Sequence, residues 1–231
     1  MKILTYNIWF DQLYMEERIT EICKIIINNE VDIVSLQEVT SKSLIILKKY
    51  LSKIYYFSKY ELLKNYDNVI ISKYEILEIH SEKLPLTQMD REFHYIIIKY
   101  DNIKIKIIGI HLESNYSKGN DIKYKQLQHI FNNISTNCII MGDTNIINDV
   151  EIPNNIKDIW IEYGKKDELK YTFDYINNSN IYGKYRSRLD RIYIDKNYKV
   201  LNLELVGIKE IDKYGVYPSD HFGILSKIDL M

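Results

Sequence analysis

Short apolar runs that each stop at a polar residue dominate this chain, and they restrict what it can fold into. Residues 3–6, 32–36, 68–72, 93–99, 103–110, 138–141, 189–194, 201–206 and 223–228 are apolar runs of strand length. Asp101 and Asn102 separate two of them as a hairpin turn would, and the second of that pair alternates Ile103, Ile105 and Ile107 with Lys104 and Lys106. Few stretches have helical spacing. Residues 16–29 place Ile19, Ile22, Cys23, Ile26 and Ile27 on one face, and residues 41–51 and 121–134 also read as helices. Many strands with few helices between them predict packed sheets with helices outside. With 231 residues and 46% hydrophobic content, the chain can build one large core, so a single domain over 1–231 is expected.

Composition narrows the setting. The formal net charge is -1, so no global basic field draws the protein onto nucleic acid, and a nucleic-acid enzyme would need a local patch. The two cysteines, Cys23 and Cys138, sit in apolar stretches and read as reduced core residues. Thr5 and Asn7 interrupt the opening MKILTYNIWF, which therefore lacks a signal-peptide pattern. No run of about 18 apolar residues is present. An intracellular protein of nucleus or cytoplasm, not secreted, with no membrane partner and a monomeric state, is expected.

The polar residues that close the apolar runs carry the chemistry. Asn7 closes the first and Glu38 the second. His111 lies in GIHLES, and Asp143 and Asn145 in GDTN. Asp190 lies in RLDRI, and Asp220 and His221 precede the last run in PSDHFGIL. Each alone has an ordinary explanation: a turn aspartate, a satisfied core histidine, an Asx turn. Together, on one rim of packed sheets, they would form a single acidic pocket. Glu, Asp, Asn and water oxygens suit Mg²⁺ and not a structural zinc. A histidine beside carboxylates stays protonated and stabilises charge on a phosphoryl group. An Asp that activates water beside an Asn that positions it is hydrolase chemistry. The set reads as metal-assisted hydrolysis of a phosphate ester.

TYN, LQEV, GIHLES, GDTN, RLDRI and PSDH follow one another as in the endonuclease/exonuclease/phosphatase superfamily, which this chain resembles over almost its whole length. HLES, PNNIKDIW, YTFDYINNSN and YPSDHFGIL narrow the resemblance to the tyrosyl-DNA phosphodiesterase 2 family. That resemblance implies a DNase I-like four-layer α/β sandwich, with two mixed β-sheets face to face and helices outside. It implies one Mg²⁺, with Mn²⁺ a candidate substitute, and hydrolysis of the bond between a protein tyrosine and a 5′ DNA end. The implied substrates are DNA with 5′-phosphotyrosyl ends and topoisomerase II-derived peptides, with RNA–protein tyrosyl links as a further candidate. Carried over, Glu38 is the metal ligand, with Asp220 beside the metal and Asn7 shaping both metal and phosphate sites. Asp143 and Asn145 activate and orient water, and His221, supported by Asp190, stabilises charge. His111 and Ser114 contact phosphate, Phe173 stands where the family has a Trp near the DNA end, and Tyr66 and Arg188 match further family positions. A tyrosyl leaving group has a pKa of about 10 and departs far more easily than an alkoxide, so one metal and one cationic His suffice.

The chain departs from the family at two places. Ile147 stands where an Arg usually contacts the phosphate region, leaving Lys184, Arg186, Arg188 and Arg191 as candidate replacements. Trp9 stands where an acidic residue is common. The sequence opens at the first catalytic strand, so a ubiquitin-binding domain ahead of it is not expected. A general or abasic-site nuclease, a sphingomyelinase- or inositol phosphatase-like enzyme and a non-enzymatic binding module remain open alternatives.

Overall fold

The structure is a computed structural model and describes residues 1–114, 121–134 and 136–231. The chain runs β1 (Lys2–Asn7), α1 (Met15–Asn28), β2 (Ile33–Val39), α2 (Ser41–Leu51), β3 (Tyr56–Phe57), β4 (Asp67–Ser72), β5 (Ile76–Lys83), β6 (Glu92–Tyr100) and β7 (Ile103–His111). It continues with α3 (Asp121–Asn132), β8 (Cys138–Asp143), β9 (Ile156–Asp158), α4 (Ile159–Glu162), β10 (Phe173–Asp174), β11 (Arg186–Ser187), β12 (Asp190–Asp195), β13 (Tyr198–Val206) and β14 (Gly223–Leu230). One sheet has the order β13-β14-β1-β2-β4-β3 and the other β5-β6-β7-β8-β12-β9. Each is mixed, since β1 runs parallel to β2 and β7 parallel to β8, with antiparallel neighbours elsewhere.

Three apolar layers hold four structural ones. Between the sheets lie Ile3, Ile33, Ile70, Ile96, Ile98, Ile105, Ile107, Ile139, Ile192 and Ile194, all at 0% exposure. On the outer face of the first sheet, Leu4, Val34 and Leu36 meet Ile19, Ile22 and Ile26 of α1 and Leu44 and Leu47 of α2. On the outer face of the second, Ile108, Ile110 and Ile140 meet Leu127, Ile130 and Phe131 of α3. This is the four-layer α/β sandwich that the sequence implied. β-Branched side chains fit such a layer because a pleated surface tolerates their stiff χ1.

Local signals explain most elements. The β6–β7 hairpin turns on Asp101 and Asn102 with φ of 47° and 65°, as a two-residue turn with both central residues left-handed requires. Thr40 and Ser43 close a reciprocal capping box at the start of α2. The alternation read in β7 stops at Ile107, because Ile108 and Ile110 are covered by α3. The sequence reading passed over β5, whose ILEIHSEK is exposed along nearly its whole length. It is a charged edge strand without a buried face, the kind of edge that resists pairing with another chain.

The topology sets the rim. The parallel β1–β2 pairing ends at Asn7 and Gln37, just before Glu38, and parallel β7 and β8 end together at His111 and Asp143. Antiparallel β12 begins where β8 ends, with Asp190 opposite Asp143. Gly142, just before that aspartate, has φ +154°, and a Cβ there would fall 1.8 Å from the Ile110 carbonyl oxygen. Gly142→Ala is therefore expected to destabilise the fold by about 1–3 kcal/mol through overpacking and to displace Asp143. Urea unfolding and hydrolysis assays would read both, and an unchanged urea midpoint would contradict this close approach.

Candidate active site

Each polar strand end has a partner on the opposite sheet or loop. Asn7 is the bridge: its Nδ2 donates to Glu38 Oε1 (3.3 Å) and, across the sandwich, to Asp143 Oδ2 (3.1 Å). Its Oδ1 accepts the Trp9 N–H at 3.1 Å. Glu38 has φ 60°, and the β2–β4 pairing slips between Leu36 and Val39. That bulge re-aims a carboxylate that a regular strand would direct elsewhere. Glu38 Oε2 accepts the Phe10 N–H at 3.1 Å. Burial, then the charge of Asp220, pushes the Glu38 carboxyl up to about 7, and burial likewise raises Asp220.

Asp143 Oδ1 accepts the Asn145 N–H (2.8 Å), an Asx turn that puts Asn145 at φ 52°. Asn145 Nδ2 donates to the Leu112 carbonyl (3.2 Å), which leaves its Oδ1 as an acceptor, and its own carbonyl accepts from the buried Lys123 (3.0 Å). Ser219 fixes the SDH turn. Its hydroxyl donates to the Asn7 carbonyl (2.6 Å) and accepts the His221 N–H (3.2 Å).

The two histidines are held in opposite states. Burial alone would lower His221, but Asp190, 2.7 Å from its Nδ1, together with Asp220 and Asp143, holds the imidazolium well above the ordinary histidine value. Burial and the neighbouring Arg91 guanidinium push His111 down to about 3. Arg91 Nη1 lies 2.9 Å from His111 Nδ1. Arginine can only donate, so His111 Nδ1 accepts and Nε2 carries the proton. That Nε2 lies 3.6 Å from Asp143 Oδ2 and 3.9 Å from Glu38 Oε1. The site thus has one cationic and one neutral imidazole at neutral pH.

A metal fits this donor set. Glu38 and Asp220 are half-buried carboxylates raised toward their neutral forms, and Asn7 adds an amide oxygen, so a hard cation would relieve the cost of ionising both. Oδ1 of Asp190 is also buried without a partner among the described residues. Ligand atoms of Asp143, Asp190 and His221 lie within 4.8 Å of one another. Because His221 is cationic and hydrogen-bonded to Asp190, that trio is better suited to proton and charge transfer than to holding an ion.

Aromatic groups flank the centre. On one side, Tyr66 stacks on Phe10 at 5.2 Å, stands 6.5 Å from His111, and has the Arg91 guanidinium 5.3 Å from its ring. Tyr66, Arg91, His111 and Met89 line a cavity of about 540 Å³. Ser114 Oγ lies 3.5 Å from Arg91 Nη2. On the other side, Phe173 meets His221 edge-on at 5.2 Å.

The sequence of the endonuclease/exonuclease/phosphatase family matches residues 4–221. The chain belongs to that family, in its tyrosyl-DNA phosphodiesterase 2 branch. It is 30% identical to tyrosyl-DNA phosphodiesterase 2 of Gallus gallus over 99% of this chain and 67% of that protein. For the Homo sapiens protein the figures are 28%, 99% and 68%. The crystal structure of Danio rerio tyrosyl-DNA phosphodiesterase 2 with a single-strand DNA product superposes with a TM-score of 0.90 at 26% identity, covering 99% of this chain and 98% of that one. Truncated Caenorhabditis elegans tyrosyl-DNA phosphodiesterase 2 shares the fold with a TM-score of 0.90 at 23% identity, covering 100% of this chain and 97% of that one.

The structure gathers Asn7, Glu38, His111, Asp143, Asn145, Asp190, Asp220 and His221 at the rim, with Tyr66, Ser114 and Phe173 around them. It does not bring Arg188 there. Arg188 Nη1 pairs with both oxygens of Asp158 (2.9 and 2.7 Å), and its guanidinium lies 4.6 Å from the Trp160 ring. Arg186 pairs with Asp174, and Arg191 donates to the Ile146 and Asn148 carbonyls. Among the described residues Arg91 is a cation beside His111, and the sequence reading missed it. Glu113 of HLES holds it in place: its Oε2 accepts from Thr87 Oγ1 (3.1 Å) and the Gln88 N–H (2.9 Å), and Thr87 Oγ1 accepts the Arg91 N–H (2.7 Å).

Arg18 was also missed. It is buried and donates to the carbonyls of Ile8, Trp9, Asp11, Leu13 and Pro218. It therefore ties the loop after β1 to the SDH turn. Trp9 covers it at 4.6 Å, which gives that departure from the family a packing role. Ile147 is half exposed.

Asp190→Asn would remove the carboxylate that raises His221. The imidazolium is present below its folded pKa and lost as pH rises through it, so the alkaline limb of the pH–rate profile should move toward neutrality. An alkaline limb that stays in place would remove His221 protonation from the mechanism.

Proposed function

We propose that this chain is a Mg²⁺-dependent 5′-tyrosyl-DNA phosphodiesterase that splits the bond between a tyrosine phenol oxygen and a 5′ phosphate, leaving a 5′-phosphate end. The observation that carries this reading is the pair of aromatic arms on either side of the charged centre. Tyr66 with Arg91 offers a flat ring and a cation to a phenol that becomes phenolate, and the Phe173 side offers rings to a nucleotide. A general nuclease has no need of the first arm.

In this mechanism Asp143 accepts a proton from the attacking water, and the Asn145 Oδ1 orients that water. The water oxygen bonds to phosphorus as the phosphorus–phenol oxygen bond breaks. The His221 imidazolium and the His111 Nε2–H stabilise charge on the non-bridging oxygens. Asp190 keeps His221 charged and aimed. Arg91 lies where it offsets the negative charge of the departing phenolate. Mg²⁺, held by Glu38 with Asp220 and Asn7, would supply further charge stabilisation at the phosphate, and Mn²⁺ would substitute.

The proposed natural substrates are DNA ends bearing topoisomerase II-derived peptides, with RNA–protein tyrosyl links as a second class. We place the enzyme inside the cell, a setting that the free, buried Cys23 and Cys138 support, and propose that it acts as a monomer.

The test is a 5′-phosphotyrosyl oligonucleotide incubated with Mg²⁺ or EDTA. Expected is metal-dependent conversion to a 5′-phosphate end, with Asp143→Asn and His221→Ala each losing about 10²–10⁴-fold in kcat while keeping the native circular dichroism. No conversion by folded, Mg²⁺-binding protein, or cutting of internal phosphodiesters instead, would overturn the reading.

A further inference from the structure

The cavity of about 540 Å³ extends past the ring and cation that face the leaving phenol. Among the described residues its wall includes His111, Tyr66 and Arg91, which touch one another, and none of Glu38, Asp143, Asn145, Asp220 or His221. It therefore starts on the leaving-group side of the phosphate and leads away from the metal side and the attacking water. A cavity of this volume takes a ligand well above the size of one phenol ring.

Two connections build the rest of the wall, residues 58–66 between β3 and β4 and residues 84–91 between β5 and β6. Lys64 stitches one to the other. Its Nζ donates to the Asp90 carbonyl (2.8 Å) and pairs with Asp90 Oδ2 (3.2 Å) and Glu92 Oε1 (3.0 Å). Asp90 pairs with Lys83 as well (3.0 Å). Asp67 pairs with Lys59 and lies 2.9 Å from His94 Nε2. The wall's charges are thus matched among themselves, and Arg91 is turned to the phenol and His111. Such a wall gives no electrostatic preference to a charged ligand residue, which would lose hydration there without gaining a partner. The apolar groups are what it leaves uncovered. Leu63 and Met89 both line the cavity and both are exposed, Leu63 fully.

Covalent continuity supplies the occupant. The departing phenol is one side chain of a polypeptide, so the residues flanking that tyrosine follow it onto this side, while the nucleotide lies on the other side of the phosphorus. We propose that the cavity is a peptide subsite that seats an apolar side chain adjoining the linked tyrosine against Leu63 and Met89. This rests on the phosphodiesterase reading above and names what that site accepts beyond the phenol. Contacts so far from phosphorus are the same in the ground state and the transition state, so the preference falls on KM and leaves kcat unchanged.

The test uses oligonucleotides whose 5′ phosphate is linked to a capped single tyrosine or to capped tripeptides with tyrosine between two leucines, two lysines or two glutamates. One buried methylene is worth about 4-fold, so the leucine tripeptide should exceed the single tyrosine by about 4- to 20-fold in kcat/KM, through KM. The lysine and glutamate tripeptides should show no such gain. In Leu63→Ser the leucine-to-single-tyrosine ratio should fall to about 1, and in Leu63→Met it should persist. Leu63 is fully exposed, so native circular dichroism is expected in both variants. A ratio of 1 in wild type, a larger gain from a charged tripeptide, or a ratio that persists in Leu63→Ser would each overturn the assignment. So would cutting of a plain internal phosphodiester that depends on Leu63, which would make the occupant a nucleic acid strand. A second measurement needs no turnover: by calorimetry, a capped phosphotyrosine tripeptide with leucine flanks should bind wild type about 4- to 20-fold more tightly than capped phosphotyrosine alone, and Leu63→Ser should erase the difference. Absent hydrolysis of every oligonucleotide by wild type would overturn the activity, and the calorimetry would still decide the subsite.

Discussion

The isoleucine-rich layer between the two sheets is the constraint on which the site depends. Sheets packed face to face stand about 10 Å apart, and that spacing lets Asn7 on one sheet reach Asp143 on the other at 3.1 Å. A looser or bulkier interlayer would separate the metal side, Glu38, from the water-activating side, Asp143. The layer is nearly all isoleucine at the sites that matter, and interiors of this density resist compression. The rim is therefore held by packing several residues away from the chemistry.

Electrostatics is the second organising force. Four carboxylates, Glu38, Asp143, Asp190 and Asp220, share a largely buried rim, an arrangement that is costly unless offset. His221 offsets part of it as a cation. Arg18 adds a fixed positive charge near Asp220 while spending its hydrogen bonds on carbonyls. His111 contributes none, because Arg91 occupies its Nδ1. What remains negative is concentrated at Glu38 and Asp220, where a hard cation is the natural complement. The same scaffold keeps one imidazole charged and another neutral by giving the first an aspartate and the second an arginine.

Much of this was legible in the sequence, for a physical reason. Asn7, Glu38, Asp143, Asp190 and His221 are short or stiff side chains whose positions follow from where strands stop, and the apolar runs mark those stops. Arg91, Arg18 and Glu113 were not legible. Their partners are carbonyls, amide N–H groups or a histidine far away in the chain, and nothing in REFHY or EERIT announces such partners. Arg188 misled for the opposite reason. It lies two residues before a catalytic aspartate in sequence, yet it falls in the link between β11 and β12 rather than on the strand that carries Asp190, and its planar guanidinium is taken by Asp158 and Trp160. β5 escaped because an exposed edge strand lacks the apolar periodicity by which strands are found.

The hydrogen bond from Ser219 to the carbonyl of Asn7 spans 212 residues, and Arg18 reaches Pro218 across 200. β1, at the middle of its sheet, pairs on one side with β14. Contacts of such separation carry a large loop-closure cost and are expected to form late in folding. On the ribosome, a chain that has folded β1, α1 and β2 would hold Glu38 and Asn7 but no His221, Asp220 or Ser219. The centre can assemble only after nearly the whole span has been synthesised. A hydrolytic site built this way is silent in every partly made copy, so catalytic competence and completed folding arrive together.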